Sequence, residues 1–210
     1  MRALVLLVCL SAGCLAQRPK KCTSPPLLTG ELSVSTASEK LMAYARYSYD
    51  ALEERVHITD FGSYNNKSFH HDLLLLYKER VMYLINKRNR TCCKRPLNAD
   101  FHPLMVPEGA SLQAQVVLGS SSGPRQGLLV NTWTGEMRLK EGTAKYMSTV
   151  TEFGCIPVST LLHTDSRGWM AISFFNNVIG LVDPQGLNPP PFCKGAQLEE
   201  ENPATFFSLF

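Results

Sequence analysis

Seven cysteines are the residues of this 210-residue chain with the most evident capacity for chemistry. Two of them, Cys92 and Cys93, are neighbours in the stretch NRTCCKR, directly behind an Asn-X-Thr triplet. Neighbouring cysteines rarely bond to each other, because the small ring that would form strains the peptide between them and departs from normal disulfide geometry. A zinc site is also disfavoured, since no CxxC or HxH spacing accompanies the pair. The two sulfurs are therefore expected to have separate partners.

The first 16 residues predict a secretory signal peptide, which would place the mature chain in an oxidising compartment. Arg2 supplies the positive charge, residues 3–10 form an apolar run, and Cys14 and Ala16 in the stretch 14–16 offer small side chains at the cleavage positions. The run is shorter than the ~20 residues that a transmembrane helix needs, and no later stretch reaches that length. We therefore predict a signal peptide over residues 1–16, a single domain over residues 17–210, and no transmembrane segment.

Cleavage would leave an odd number of cysteines, namely Cys22, Cys92, Cys93, Cys155 and Cys193. Five thiols allow at most two internal disulfides, so one cysteine is either free or bonded to another chain. The odd sulfur suggests a homodimer.

Little in the chain points to catalysis or to nucleic acid. The net charge of +3 is small, and the basic clusters are typical of solvated surface. The histidines are scattered, and the adjacent pair His70 and His71 would face opposite sides of a strand, where the pair cannot chelate one ion. The stretch GSSSG at residues 119–123 lacks the G-x-S-x-G spacing of a nucleophile. We expect no enzyme, no required cofactor and no nucleic-acid partner.

Alternation of period two dominates the mature chain and predicts a mainly β fold. The strands are predicted at residues 41–49, 56–58, 72–77, 81–86, 113–118, 127–133, 146–151, 156–163 and 169–180. Short turns between them, such as residues 134–135 and 165–168, indicate antiparallel hairpins.

Two of these strands, DLLLLYK and WMAISFFNNVIG, are apolar on both faces. One face of an antiparallel sheet in a small secreted protein normally meets water, so the second apolar face needs another sheet, a partner subunit or an apolar ligand. Packing in a sandwich core and lining a pocket are both open for each side chain. The candidates for an apolar pocket are Leu73, Leu74, Leu75, Leu76, Met82, Leu84, Trp133, Ile172, Phe174 and Phe175.

Two irregular segments are more apolar than loops usually are. The stretch 94–112 contains Phe101, Leu104, Met105 and Val106, and we expect it to lie against the sheet as a cover. The ending FFSLF carries three phenylalanines, which are unusual in a loose tail.

Several stretches resemble a known family: CTSPPLLTGEL, LINKRNRTCCK, MSTVTEFGCIPVS and NPPPFCKGAQLEEENPATFFSLF. In order along essentially the whole mature chain, they resemble the ependymins and the wider ependymin-related family. The stretches GCIPVS, PPPFCKG and FFSLF are the most specific, and the ending is more similar to the fish branch than to the mammalian relative.

The resemblance implies a fold and a pattern of disulfides. Relatives have two stacked antiparallel sheets, a half-barrel sandwich similar to the bacterial lipoprotein carriers LolA and LolB, with an apolar pocket and few short helices, and they form homodimers. By similarity, Cys22 should pair with Cys155. Cys92 should likewise pair with Cys193. Cys93 has no counterpart in the family pattern, which leaves it as an intermolecular or free thiol.

The sequons Asn66-Lys67-Ser68 and Asn89-Arg90-Thr91 also match family positions and predict glycans on Asn66 and Asn89. Early bonding of Cys92 would hinder glycan addition at the neighbouring Asn89 but not at Asn66. Family members are described as calcium binders, but the chain has no EF-hand loop. The candidates for calcium ligands are Asp50, Asp72 and Asp183.

We therefore expect a secreted glycoprotein that binds a lipid or fatty-acid-like molecule in a cavity between β-sheets, with calcium as an optional ligand. Family similarity also leaves the lysosomal lumen open as a location. The alternative is an extracellular-matrix or cell-adhesion glycoprotein that acts through its glycans and calcium without a lipid ligand.

Overall fold

The computed structural model describes residues 18–199, apart from positions 37, 39, 140, 141, 166 and 167. The predicted signal peptide and the FFSLF ending therefore lie outside the described residues.

Within this range, eleven strands are hydrogen-bonded into one antiparallel sheet. They are β1 Leu27–Thr36, β2 Leu41–Asp50, β3 Arg55–Tyr64, β4 Lys67–Leu76, β5 Val81–Asn86, β6 Thr91–Pro96, β7 Ser111–Gly119, β8 Gly127–Leu139, β9 Gly142–Thr151, β10 Pro157–Thr164 and β11 Gly168–Ile179. Their order across the sheet is β6-β5-β4-β3-β2-β1-β11-β10-β9-β8-β7. The predicted mainly β fold is confirmed, although the strands form one large open sheet where two separate sheets were expected.

Strand β1 has no counterpart in the sequence prediction, yet it lies at the centre of the sheet. It pairs with β2 on one side and with β11 on the other. It therefore joins the two halves of the sheet, the first formed by β2 to β6 and the second by β7 to β11. Its buried positions include Gly30 and Thr36 as well as leucine and valine, which weakens the apolar alternation that would have predicted it.

Two other local predictions were wrong. Residues 94–96 belong to β6, because residues 91–96 pair along their whole length with β5, so the irregular stretch begins only after Pro96. Thr134 and Gly135 lie inside β8, which continues to Leu139 and pairs with β9, and they do not form a turn. A glycine within a strand often marks a close approach by another group, and at Gly135 that group is the Tyr146 ring.

The two faces of the sheet bury different sets of side chains. We call the face that carries Leu73 and Leu75 the inner face, and the face that carries Leu74 and Leu76 the outer face. On the inner face, one buried cluster joins both halves of the sheet and includes Leu28, Val34, Tyr47, Leu73, Leu75, Met82, Trp133, Tyr146, Leu162 and Ile172. Open sheets beyond about ten strands normally curl, and burial of inner side chains in both halves fits a curled sheet.

The loop between β6 and β7 covers part of the inner face, as predicted. Leu97, Val106 and Ala110 are buried in the inner cluster, and Leu104 packs against it. Phe101 stacks on Tyr49 of β2 with 5.8 Å between ring centroids. Met105, by contrast, is exposed.

This loop is also tied to the start of the described chain. The backbone N–H of Val106 donates to the carbonyl oxygen of Cys22 at 2.9 Å, and that of Ser24 donates to Leu104 at 2.9 Å. Cys22 is bonded to Cys155, which lies between β9 and β10. The loop between β6 and β7 is therefore anchored to the second half of the sheet.

The outer face of β4 and β5 is covered by the chain's own C-terminal segment. A second buried cluster combines Leu74, Leu76, Tyr83 and Ile85 of the strands with Leu187 and Cys193. Two short 3₁₀ turns, Pro184–Leu187 and Pro191–Cys193, carry these last residues. No helix of the described chain has the length and apolar character needed to cross a bilayer.

Candidate functional site

The predicted pocket residues divide between the two faces. Leu73, Leu75, Met82, Trp133 and Ile172 are buried in the inner cluster, and Leu84 and Phe174 pack against it partly buried. Leu74 and Leu76 belong to the outer cluster, while Phe175 is 42% exposed on the outer face. The inner face therefore brings seven of the ten candidates together.

The inner face of β8 to β11 carries no acidic or basic side chain in the described ranges. Alternation along these strands and their pairing register assign its positions. They are Gly127, Leu129, Asn131, Trp133, Gly135 and Met137 of β8; Gly142, Ala144, Tyr146, Ser148 and Val150 of β9; Pro157, Thr160, Leu162 and Thr164 of β10; and Gly168, Met170, Ile172, Phe174, Asn177 and Ile179 of β11. The surface they form is apolar with a few neutral polar groups.

Two of these neutral groups have no hydrogen-bond partner. Trp133 Nε1 and Tyr146 Oη are buried and unpartnered among the described residues, as are Thr36 Oγ1 and, on another part of the sheet, Arg55 Nε. Unpaired buried donors are uncommon in folded proteins. Burial raises the pKa of the Tyr146 phenol, so its hydroxyl keeps its proton at neutral pH.

Gly135 sets the position of the Tyr146 ring. The two residues are paired directly across β8 and β9. A Cβ atom at residue 135 would lie only 2.6 Å from the Tyr146 hydroxyl oxygen. The phenol therefore lies flat over β8, two residues from Trp133 and on the same face.

Other polar groups of the inner face, apart from Thr36, do have partners. The Tyr49 hydroxyl accepts a hydrogen bond from the Leu104 N–H at 3.0 Å, and the Tyr47 hydroxyl donates to Asn177. Asp60 Oδ1 accepts from the backbone N–H of His71 at 3.0 Å and lies 3.1 Å from its Nδ1. Trp133 and Tyr146 therefore differ from these paired groups.

The three aspartates considered for calcium each have other partners. Asp50 accepts from two backbone N–H groups at 3.0 Å and pairs with Arg55 at 2.6 Å. Asp72 pairs with His57 at 2.6 Å and with Lys87 at 2.7 Å. Asp183 accepts from the backbone N–H groups that begin a 3₁₀ turn. Among the residues described, no three His, Cys, Asp or Glu side chains come together as a metal site.

Comparison with known proteins gives the family. A family model of ependymin matches residues 65–193. Ependymin-1 of Oncorhynchus mykiss is 36% identical over 99% of this chain and 96% of its own length. Ependymin-2 of Carassius auratus is 32% identical over 98% of this chain and 95% of its own length. The chain belongs to the ependymin family.

More distant similarities extend the comparison. Mammalian ependymin-related protein 1 of Mus musculus is 29% identical over 87% of this chain and 80% of its own length. A crystal structure of an uncharacterized conserved protein from Thermus thermophilus is similar over 85% of this chain and 91% of that chain, with a TM-score of 0.48 and 10% identity. Membership of the ependymin family supports a secreted glycoprotein.

The structure contains both disulfides that the ependymin resemblance implied. Cys22 is bonded to Cys155 with 5.9 Å between the Cα atoms, and Cys92 to Cys193 with 5.2 Å. Cys93 is the free cysteine of the described chain. Its sulfur lies 2.8 Å from Glu199 Oε2 and 3.0 Å from Arg95 Nε.

Both ependymin sequons begin in exposed hairpin turns. Asn66 lies in the turn between β3 and β4, and Asn89 lies in the turn between β5 and β6. Because consecutive strands are antiparallel, these two turns project from the same end of the sheet. Attached glycans would extend into solvent from that end.

Sequence reasoning missed the inner-face role of Tyr146 and Gly135. The sequence pattern indicates Tyr146 only as the start of a strand and predicts Gly135 in a turn. Their relationship depends on the pairing register of β8 and β9, which no local pattern reveals. A glycine inside an otherwise alternating run was the one available signal.

Proposed function

We propose that this chain is a secreted glycoprotein that binds a lipid or fatty-acid-like molecule against the inner face of its sheet. The observation that carries the proposal is the inner surface of β8 to β11. Its strand positions carry no charged side chain, the nearby Glu152 carboxylate being taken up by a hydrogen bond from Asn131, and its buried residues share one cluster with leucines and methionine of β4 and β5. Sites for apolar ligands are typically lined in this way, with a few neutral polar groups among hydrophobic side chains.

Affinity would come from moving an acyl chain out of water. Each methylene contributes roughly 0.8 kcal/mol, so a chain of moderate length would bind without any charged contact. The cover formed by residues 97–110 supports this function, because aromatic and apolar side chains of that loop face the same cluster.

The secreted and glycosylated character has its own support. Two disulfides are typical of an oxidising compartment, and both sequon asparagines are exposed. The lysosomal lumen stays a prediction from the family. Calcium binding gains no support from Asp50, Asp72 and Asp183, since each carboxylate already accepts from other groups.

A homodimer is supported by apolar side chains on the outer face of the second half of the sheet, β7 to β11. Side chains exposed there include Val116, Leu118, Leu128, Phe175 and Val178, and β7 is an unpaired edge of the sheet. Exposed apolar patches and open edges favour association. The same surface also favours the alternative function, in which the chain is an adhesion or matrix glycoprotein that acts through surface contacts.

Native mass spectrometry of the secreted protein distinguishes the two functions. We expect a co-purified lipid or fatty acid, identified by extraction into organic solvent. Empty protein that also fails to bind added acyl compounds would contradict lipid binding and favour the adhesion function. The same spectra give the oligomeric state, and a monomer at micromolar concentration would contradict the homodimer.

A further inference from the structure

We propose that Trp133 and Tyr146 form a polar anchor that donates hydrogen bonds to the oxygen atoms of an uncharged acyl ester. This inference rests on the proposed lipid-binding function, and it assigns the ligand a chemical class that apolar burial alone does not specify.

The two donors are neighbours on the inner face. Trp133 pairs with Ser148, and Gly135 pairs with Tyr146, so Trp133 and Tyr146 occupy diagonal positions on adjacent strands. Diagonal side chains lie about 7 to 8 Å apart, within reach of aromatic rings. The Tyr146 hydroxyl is closer still to β8, because its ring lies over Gly135.

Both side chains are buried with their polar atoms unpaired. Trp133 is 3% exposed and Tyr146 is 4% exposed, and neither Nε1 nor Oη has a partner among the described residues. An indole N–H can only donate, so what is missing beside it is an acceptor. A carbonyl oxygen with two lone pairs, or the two oxygens of one ester, would satisfy both donors.

The surroundings favour an uncharged acceptor over a carboxylate. The inner positions of β8 to β11 carry no Lys, Arg or His in the described ranges, so nothing there would neutralise an anion. Burying an ionised carboxylate without a partner of opposite charge is strongly unfavourable. An ester presents the same acyl chain and a good acceptor without that cost.

Three probes with matched chains test the class of ligand: methyl decanoate, decanoic acid at pH 8, where it is a carboxylate, and decane. Binding of each probe to delipidated full-length secreted protein is measured by calorimetry and by native mass spectrometry. We expect methyl decanoate to bind about tenfold more tightly than either of the others, the gain typical of one or two buried hydrogen bonds. Equal binding of all three probes, or tightest binding of the carboxylate, would overturn the anchor but leave the lipid-binding function standing. Binding of none of them would overturn both.

Tyr146→Phe tests the residue, with Tyr49→Phe as the matched control. Both tyrosines are buried on the inner face, but the hydroxyl of Tyr49 has a partner in Leu104. We expect Tyr146→Phe to remove the preference for the ester while the ligand-free protein is as stable as the parent or more stable, because the lost hydroxyl has no partner. Tyr49→Phe should lose stability and keep the preference.

The opposite result for stability would overturn the assignment of Tyr146. If ligand-free Tyr146→Phe loses as much stability as Tyr49→Phe, the hydroxyl has a partner within the protein or an ordered water, and the anchor fails. Trp133→Phe should also lose the ester preference. Because it removes volume from the core as well, Tyr146→Phe is the deciding variant.

Discussion

Cys92 and Cys93 are adjacent in β6, and their side chains lie on opposite faces of the sheet. Successive side chains of a strand alternate between faces, so Cys92 reaches the outer face, where it is bonded to Cys193. Cys93 is paired with Leu84 of β5, a residue that packs against the inner cluster. The alternation explains why two neighbouring sulfurs have different fates.

Cys93 should be a slow nucleophile at neutral pH. Burial, followed by the hydrogen bond to Glu199, raises the pKa of the Cys93 thiol, although Arg95 opposes the shift. Since the thiolate is the reactive form, Glu199→Gln should lower that pKa and speed alkylation by iodoacetamide at pH 7. The rate is followed by intact-protein mass spectrometry. Glu108→Gln is the control, because Glu108 is exposed in the loop between β6 and β7, and it should leave the alkylation rate unchanged. An unchanged rate in Glu199→Gln would show that the Glu199 carboxylate does not influence the Cys93 thiol.

The disulfide between Cys92 and Cys193 should hold the C-terminal segment over the outer cluster. It closes a loop with a sequence separation of 101 residues, for which the chain-entropy model gives an upper figure of about 4 to 5 kcal/mol. We expect the double variant Cys92→Ala/Cys193→Ala to lose stability in urea unfolding. It should also bind more of an apolar dye, because Leu74 and Leu76 would lose their cover.

The other disulfide provides the control. Cys22→Ala/Cys155→Ala removes a bridge of sequence separation 133, so its loss of stability should be similar. The outer cluster keeps its cover in that variant, so proteolysis within residues 181–199 should increase only in Cys92→Ala/Cys193→Ala. Equal cleavage in both variants would contradict a role for Cys193 in docking this segment.

The sequence predicted the strands with clear alternation but not the contacts between distant segments. The run Leu73 to Leu76 correctly indicated a strand buried on both faces, and the loop with Phe101 and Val106 was correctly expected to cover the sheet. The outer cover of Leu74 and Leu76 could not be predicted, because Leu187 and Cys193 belong to a remote segment with no periodicity. Likewise, β1 was missed because Gly30 and Thr36 occupy buried positions where apolar residues were expected.

Asp72 should make folding sensitive to acid. Burial opposes ionisation of this carboxyl, but hydrogen bonds from His57 and Lys87 outweigh it and lower the pKa of Asp72 from its ordinary value of 3.8. A lowered pKa in the folded state contributes stability above the unfolded pKa, and that contribution is lost as the pH falls through the folded value. Asp72→Asn should therefore lose about 1 to 3 kcal/mol at pH 7, and the difference from the parent should shrink below a pH of about 4.

The measurement is urea unfolding at a series of pH values. Asp100→Asn is the control, because the Asp100 carboxylate pairs with Arg80 at 3.7 Å and both side chains are largely exposed. Such a pair contributes about 0 to 1 kcal/mol, so this variant should follow the parent at every pH. A difference for Asp72→Asn that is constant from pH 7 to pH 3 would show that the ionised form of Asp72 is not what stabilises the fold.

Leu73 and Leu74 offer a matched pair that separates ligand binding from packing. They are adjacent, almost completely buried and chemically identical, but Leu73 is in the inner cluster and Leu74 in the outer one. Substitution of either by alanine should destabilise the fold by about 2 to 5 kcal/mol, the usual range for a buried leucine. If the ligand lies on the inner face, only Leu73→Ala removes a surface that the acyl chain contacts. We expect it to weaken binding of methyl decanoate by about 1 kcal/mol, while Leu74→Ala binds as the parent does. Calorimetry at a temperature where both variants are folded provides the comparison, and equal effects of the two substitutions on binding would mean that the ligand does not distinguish the faces of β4.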